Sequence, residues 1–162
     1  MSGPTRRAKF SDFKARMDAI GFEPKRRFGQ NFLLDPSLHQ YMAEAAGLTG
    51  SDLAVEIGGG LGFLTRELAA VAARVLCVEV DPRLIELLQE EVAGYRTASG
   101  DSAMVRLLHA DAMAGARMAE VVVAAVTEER RQVRGDLVLV ANLPYAVAGP
   151  ILGEIASGRP AV

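Results

Sequence analysis

Tryptophan is absent from this chain of 162 residues, aromatic residues make up only 6% of it, and there is one cysteine. So few aromatics mean a core built mainly of Ala, Val and Leu. The single Cys77 excludes an internal disulfide; it lies in the apolar run Val75-Leu76-Cys77-Val78 and reads as a small buried strand residue. That cysteine usage fits a reducing, cytoplasmic setting. The sequence also lacks an apolar stretch long enough to span a membrane, and a signal-like apolar segment near its start. A large charge of one sign is missing too: the net charge of −2 argues against a uniformly basic nucleic-acid binder. With only His39 and His109, and no Cys or carboxylate pattern at ligand spacing around them, no metal site is expected.

What is present is ordinary globular composition, half hydrophobic and 23% charged, in a length that suits one domain. The charge is unevenly placed. Residues 1–30 carry eight Lys or Arg against three acids, a local balance of +5, which leaves −7 for the remainder. A basic arm on an acidic body points to a polyanion touching one end; the plainer alternative is a solvated leader. Residues 1–23 therefore read as a basic arm with a short helix over 11–20, capped by Ser11 and stopped by Gly21. Residues 24–162 read as the main domain.

Within it, residues 24–32 form a loop anchored by Phe28 and Phe32, and Asp35-Pro36 opens a helix that Gly47 ends. Strand and helix then alternate. Strands are predicted at 53–57, 74–80, 105–109 and 136–141, with helices at 63–73, from Pro82, at 114–131 and from Pro150, and a loop at 93–103. Strands joined by helical crossovers imply a parallel, doubly wound α/β sheet.

Four motifs fall at the carboxyl ends of the four strands, where open α/β sheets hold their ligands. Glu56-Ile57-Gly58-Gly59-Gly60-Leu61-Gly62 is a glycine turn between strand and helix. Its glycines let the backbone approach a ligand closely. The nicotinamide fingerprint would need its third glycine at 63, where the chain has Phe63. The spacing here suits a ligand without a pyrophosphate, its amino-acid part lying over Gly58 and Gly60. Glu79 ends the next strand and is placed to take both hydroxyls of a ribose, while Asp81 caps the following helix. Asp111 ends the third strand and could accept from an adenine amino group, or could serve as a turn residue.

Asn142-Leu143-Pro144-Tyr145 follows the fourth strand. An exocyclic adenine amine is a poor nucleophile because its lone pair is delocalised into the ring. Donating its two N–H groups to the Asn142 side-chain oxygen and the Leu143 carbonyl would aim the lone pair at an incoming methyl group. Pro144 biases Leu143 toward an extended conformation, and Tyr145 offers a face on which a flipped base can stack. Catalysis would then be mainly alignment.

With the segment Arg26-Arg27-Phe28-Gly29-Gln30-Asn31-Phe32-Leu33, these motifs resemble the ribosomal RNA adenine dimethyltransferase family, the KsgA type of bacteria, over residues 24–152. The resemblance implies a Rossmann-like class I methyltransferase fold with S-adenosylmethionine as methyl donor. Asn31, Leu33, Gly58, Glu79, Asp111 and Asn142 would contact the cofactor. The implied reaction dimethylates two adjacent adenines of small-subunit ribosomal RNA during ribosome biogenesis. The related methyltransferases of macrolide resistance share these motifs, and a non-catalytic ribosome-assembly module is the reading from another class. Departures are the missing Ser or Thr before Pro150 and longer stretches before Asp111 and Asn142. The family fold also has seven strands and a helical RNA-gripping domain, whereas four strands are legible here. The chain therefore reads as truncated after the fourth strand, in the order 3-2-1-4, with strand four an open edge prone to self-association. The complete protein is expected to be a monomer.

Overall fold

The computed structural model describes residues 10–19, 21, 35–97 and 100–158. Six helices and six strands follow in chain order: α1 (Phe10–Ala19), α2 (Pro36–Ala45), β1 (Leu53–Ile57), α3 (Phe63–Val71), β2 (Arg74–Glu79), α4 (Pro82–Val92), β3 (Val105–His109), β4 (Met113–Ala114), β5 (Arg117–Met118), α5 (Glu120–Arg130), β6 (Leu137–Leu139) and α6 (Tyr145–Ala156).

Two of the helix starts follow from local chemistry. At both Asp35-Pro36 and Asp81-Pro82 the aspartate side chain accepts from the N–H two residues on, and the proline takes a position whose missing N–H costs nothing. The main sheet is parallel in the order β3-β2-β1-β6, the order expected for the four strands. Leu53 of β1 pairs with Arg74 of β2 and Leu137 of β6, so the strands run in near alignment and their carboxyl ends meet at one rim.

Alternation along β1 divides the core. Leu53, Val55 and Ile57 face Val122, Ala125 and Val126 of α5 and Ile151 of α6. Ala54 points the other way, into a cluster with Ala43 of α2, Leu64 and Leu68 of α3, and Tyr95. Helices thus cover both faces of a buried parallel sheet, the Rossmann-like α/β fold that the resemblance implies. Its fully buried side chains are mostly Leu and Val, as the scarcity of aromatics requires.

The structure departs from the sequence expectations at five places. The helix expected over 114–131 begins only at Glu120, because residues 113–118 form a two-stranded antiparallel hairpin turned by Gly115 at φ 67°. The strand expected over 136–141 is three residues long, although its bonding to β1 extends to Val140, whose N–H donates to the Val55 carbonyl at 2.9 Å. Its residues are half-buried, and among the described residues it pairs only with β1, the open edge expected for strand four. The last helix starts at Tyr145, not Pro150; Pro150 is tolerated inside it at an exposed position, where water can serve the carbonyl that loses its donor. The first helix begins at Phe10, which puts Ser11 in its first turn instead of at its cap. The helix expected over 63–73 stops at Val71, and Ala72 turns extended to enter β2.

Candidate functional site

Because β1, β2, β3 and β6 are parallel, the segments that follow them share one rim. The glycine turn is nearly all backbone. Gly58 N–H donates to the Val78 carbonyl at 2.8 Å, which ties the turn to β2, and Gly62 N–H closes on the Gly59 carbonyl at 2.9 Å. Gly58, Gly60 and Gly62 have φ of 84°, 56° and 77°, a left-handed conformation that side chains resist. A Cβ at Gly58 would meet nothing within 4 Å, so open space lies beside the turn for a ligand. Gly59 is required for a different reason: a Cβ there would collide with Cys77 Sγ.

Glu79 is buried at the end of β2 and reaches the turn. Its Oε2 accepts from Gly60 N–H at 2.8 Å, while Oε1 accepts from Val80 and Asp81 N–H at 2.8 and 2.9 Å. Two donors fill Oε1; Oε2 keeps an acceptor direction for a further donor. The grip on both hydroxyls of a ribose expected from sequence would, with these three bonds in place, rest on Oε2. Asp81 takes the capping role, with the Arg83 guanidinium 3.0 Å from its carboxylate.

Asp111 is exposed beyond β3, where its Oδ1 accepts from Met113 N–H at 2.9 Å, a turn-forming bond that leaves Oδ2 for another donor. His109 is exposed, its Nε2 3.2 Å from the Val80 carbonyl. No group of three His, Cys, Asp or Glu that could hold a metal occurs among the described residues.

Asn142 is exposed after β6, and Leu143 and Pro144 are half-buried. Pro144, at φ −57°, turns the chain into α6, and its carbonyl accepts from Val147 and Ala148 N–H at 3.0 and 3.1 Å. Tyr145 begins the helix with 99% of its surface exposed. An aromatic ring so placed gains nothing from the core and stands available to a partner. Asn31 and Leu33 lie outside the described residues.

Beneath the turn lie two groups whose roles the sequence did not show, Glu56 of the motif itself and Tyr95. Glu56 is 1% exposed and its Oε2 has no hydrogen-bond partner. Burial pushes its carboxyl up to about 8, with Thr65 and Cys77 as hydrogen-bonding neighbours, so the group is mainly uncharged at neutral pH. Tyr95, from the loop after α4, is buried and donates its hydroxyl to the Gly62 carbonyl at 3.0 Å. Its only sequence signal is a lone aromatic in a polar, glycine-containing loop.

No helix among the described residues is long and apolar enough to cross a membrane. The sequence profile of the ribosomal RNA adenine dimethylase family matches residues 21–161. The chain is 36% identical over 139 residues to a ribosomal RNA small subunit methyltransferase A of Geobacillus thermodenitrificans, covering 86% of this chain and 43% of the relative. To the protein of that name from Magnetococcus marinus it is 34% identical over 143 residues, 88% of this chain and 46% of the relative. The chain thus spans less than half the length of these curated relatives. In fold it is similar to the crystal structure of a dimethyladenosine transferase from Plasmodium falciparum, with a TM-score of 0.55 at 23% identity over 78% of this chain and 38% of that one. Both its rim of motifs and the match over residues 21–161 place this chain in the ribosomal RNA adenine dimethylase family.

Proposed function

We propose that this chain is the S-adenosylmethionine-binding part of an adenine N6-dimethyltransferase that acts on two adjacent adenines of small-subunit ribosomal RNA. The observation that carries the reading is the shared rim: a glycine turn held by Glu79 at one strand end, and an exposed Asn142–Tyr145 segment at another. The cofactor's contribution would be a methyl group on a positively charged sulfur.

The residues present fit such a ligand. Gly58 and Gly60 give it backbone to lie against, Glu79 Oε2 keeps an acceptor direction for a ribose hydroxyl, and Asp111 Oδ2 one for an adenine amine. Asn31 and Leu33 complete the cofactor set by family resemblance. The substrate adenine stacks on Tyr145, and the Asn142 side-chain oxygen and Leu143 carbonyl accept its two amino hydrogens. Their role is to turn the nitrogen lone pair toward the methyl group; the amine becomes acidic only as the new bond forms, so alignment does most of the work. Pro144 fixes the start of α6 and with it the direction of Tyr145.

Ribosomal RNA as substrate implies action in the cytoplasm on a small-subunit precursor, with the basic arm supplying salt-sensitive attraction to phosphates. The chain is expected to self-associate. The side of β6 left unpaired among the described residues and the exposed Leu152 and Ile155 of α6 are surfaces that favour pairing with another copy. Radiolabelled methyl transfer to small-subunit precursors, with large-subunit RNA as the control, tests the reading on the longest form of the protein. Incorporation into small-subunit adenines supports it, incorporation only into large-subunit RNA points to the macrolide-resistance type, and cofactor binding without incorporation points to an assembly module.

A further inference from the structure

Four of the five residues from Gly58 to Gly62 are glycine, and three of them hold a left-handed φ. Such a segment loses more conformational freedom on ordering than any other composition would. Something must therefore define its shape before a ligand arrives. Among the described residues, two side chains bond to it. Glu79 accepts from Gly60 N–H in the middle of the turn, and the Tyr95 hydroxyl donates to the Gly62 carbonyl at 3.0 Å at its far end.

The Gly62 carbonyl is the joint between turn and helix. It also accepts from Arg66 N–H at 3.0 Å, the first bond of α3. A carbonyl held from two directions fixes the peptide plane between Gly62 and Phe63, and through it the direction in which the first N–H groups of α3 point. Those groups are the ones a helix start offers to a ligand.

Tyr95 is itself firmly placed. Its ring lies in the cluster of Ala54, Leu64 and Leu68, its N–H donates to the Val92 carbonyl at 3.1 Å, and its carbonyl accepts from Ala103 N–H and from the Arg96 guanidinium. Burial pushes the phenol far up, so it stays a donor throughout the physiological range. The fit is reciprocal: a Cβ at Gly62 would stand 2.5 Å from the Tyr95 hydroxyl and 2.8 Å from Leu88 Cδ2. Gly62 is thus small for the sake of Tyr95 as well as left-handed for the sake of the turn.

We propose that Tyr95 is a positioning residue for the cofactor site, its hydroxyl latching the glycine turn to α3 so that the turn is shaped for the ligand in advance. The loop between α4 and β3, which carries no residue of the motif set, then acts on the site from behind. This inference rests on the reading of the turn as the S-adenosylmethionine site.

The variant Tyr95→Phe keeps the ring and removes only the hydroxyl, and the Gly62 carbonyl retains Arg66 N–H as a donor. In the full chain, S-adenosylmethionine titrated by calorimetry should bind about 5- to 10-fold more weakly to the variant, the loss of roughly one neutral hydrogen bond's worth of preorganisation. Amide exchange should accelerate across residues 59–64 and stay unchanged in β2 and β3. Gly62→Ala should weaken binding in the parent chain, and by a smaller factor in the Tyr95→Phe background, where the colliding hydroxyl is gone. Unchanged affinity with a uniform rise in exchange would make Tyr95 a packing residue and overturn the proposal, as would equal Gly62→Ala effects in both backgrounds. A parent chain that fails to bind S-adenosylmethionine would instead sink the cofactor reading, while the exchange pattern would still decide whether the latch exists.

Discussion

The two halves of the rim are built differently. Around β1 and β2 nearly every residue is buried, and the glycine turn is tied down by Val78, Glu79 and Tyr95. Around β6 the strand is short and half-buried, Asn142 is exposed, and Tyr145 is almost entirely in solvent. The first half has the preorganisation expected of a site for a small ligand, whose binding is weakened by any freedom the pocket must lose. The second has the openness expected of a site for a large substrate that brings its own base to be stacked and enclosed. On the proposed reading, one sheet end would divide the task between a tied-down turn and an exposed platform.

The largest effect that could break this contrast is on stability. Leu76 in β2 is fully buried between the helical layers, so Leu76→Ala should cost about 3–5 kcal/mol in chemical denaturation. Leu139→Ala, in half-buried β6, should cost roughly half of that or less. Equal costs would mean that β6 is as firmly built as β1 and β2.

Next in size is a separation of function. Asn142→Ala in the complete enzyme should lower methyl transfer on the order of 100-fold, yet change S-adenosylmethionine affinity by less than about 3-fold, since the amine is oriented only during reaction. Parallel losses in both would leave Asn142 only its cofactor contact, or a folding role, and erase the division between the halves.

A smaller effect concerns the carboxyl under the turn. Burial raises Glu56 to about 8 from an ordinary 4.5, so the folded state keeps a proton that the unfolded state releases. Its stabilising contribution is complete below pH 4.5 and is lost progressively as pH rises through 8. The slope should be on the order of 1 kcal/mol per pH unit at most. Glu56→Gln should flatten that decline in urea titrations between mildly acidic and alkaline pH. A parent and variant with the same pH slope would show that Glu56 ionises normally in the fold.

Much of the fold was legible because the sequence marks parallel α/β units plainly. Apolar runs such as Leu53–Ile57, two Asp-Pro helix starts and the glycine turn each carry a local cause, while the strand order observed is the one the family resemblance implied. What stayed hidden has causes that are not local. The strands Met113–Ala114 and Arg117–Met118 are too short to show any periodicity, and the helix-compatible residues around them masked the turn at Gly115. Pro150 looked like a helix start because proline favours first turns, but the helix starts at Tyr145, five residues earlier, with Pro144 before it. Gly59 carries no local signal of its role, because its need arises from Cys77 on a neighbouring strand. The Tyr95 bond spans 33 residues, and nothing near Tyr95 in sequence announces it.

The most direct measurement is calorimetric titration of the chain with S-adenosylmethionine and, separately, with NAD, repeated on Glu79→Ala. S-adenosylmethionine should bind and NAD should not. Removing the carboxylate should cost about 1–3 kcal/mol of binding, because a ribose hydroxyl loses its acceptor and Gly60 N–H loses its anchor. Binding of NAD with no binding of S-adenosylmethionine, or an affinity indifferent to Glu79, would contradict the account of this rim as a preformed methyl-donor site.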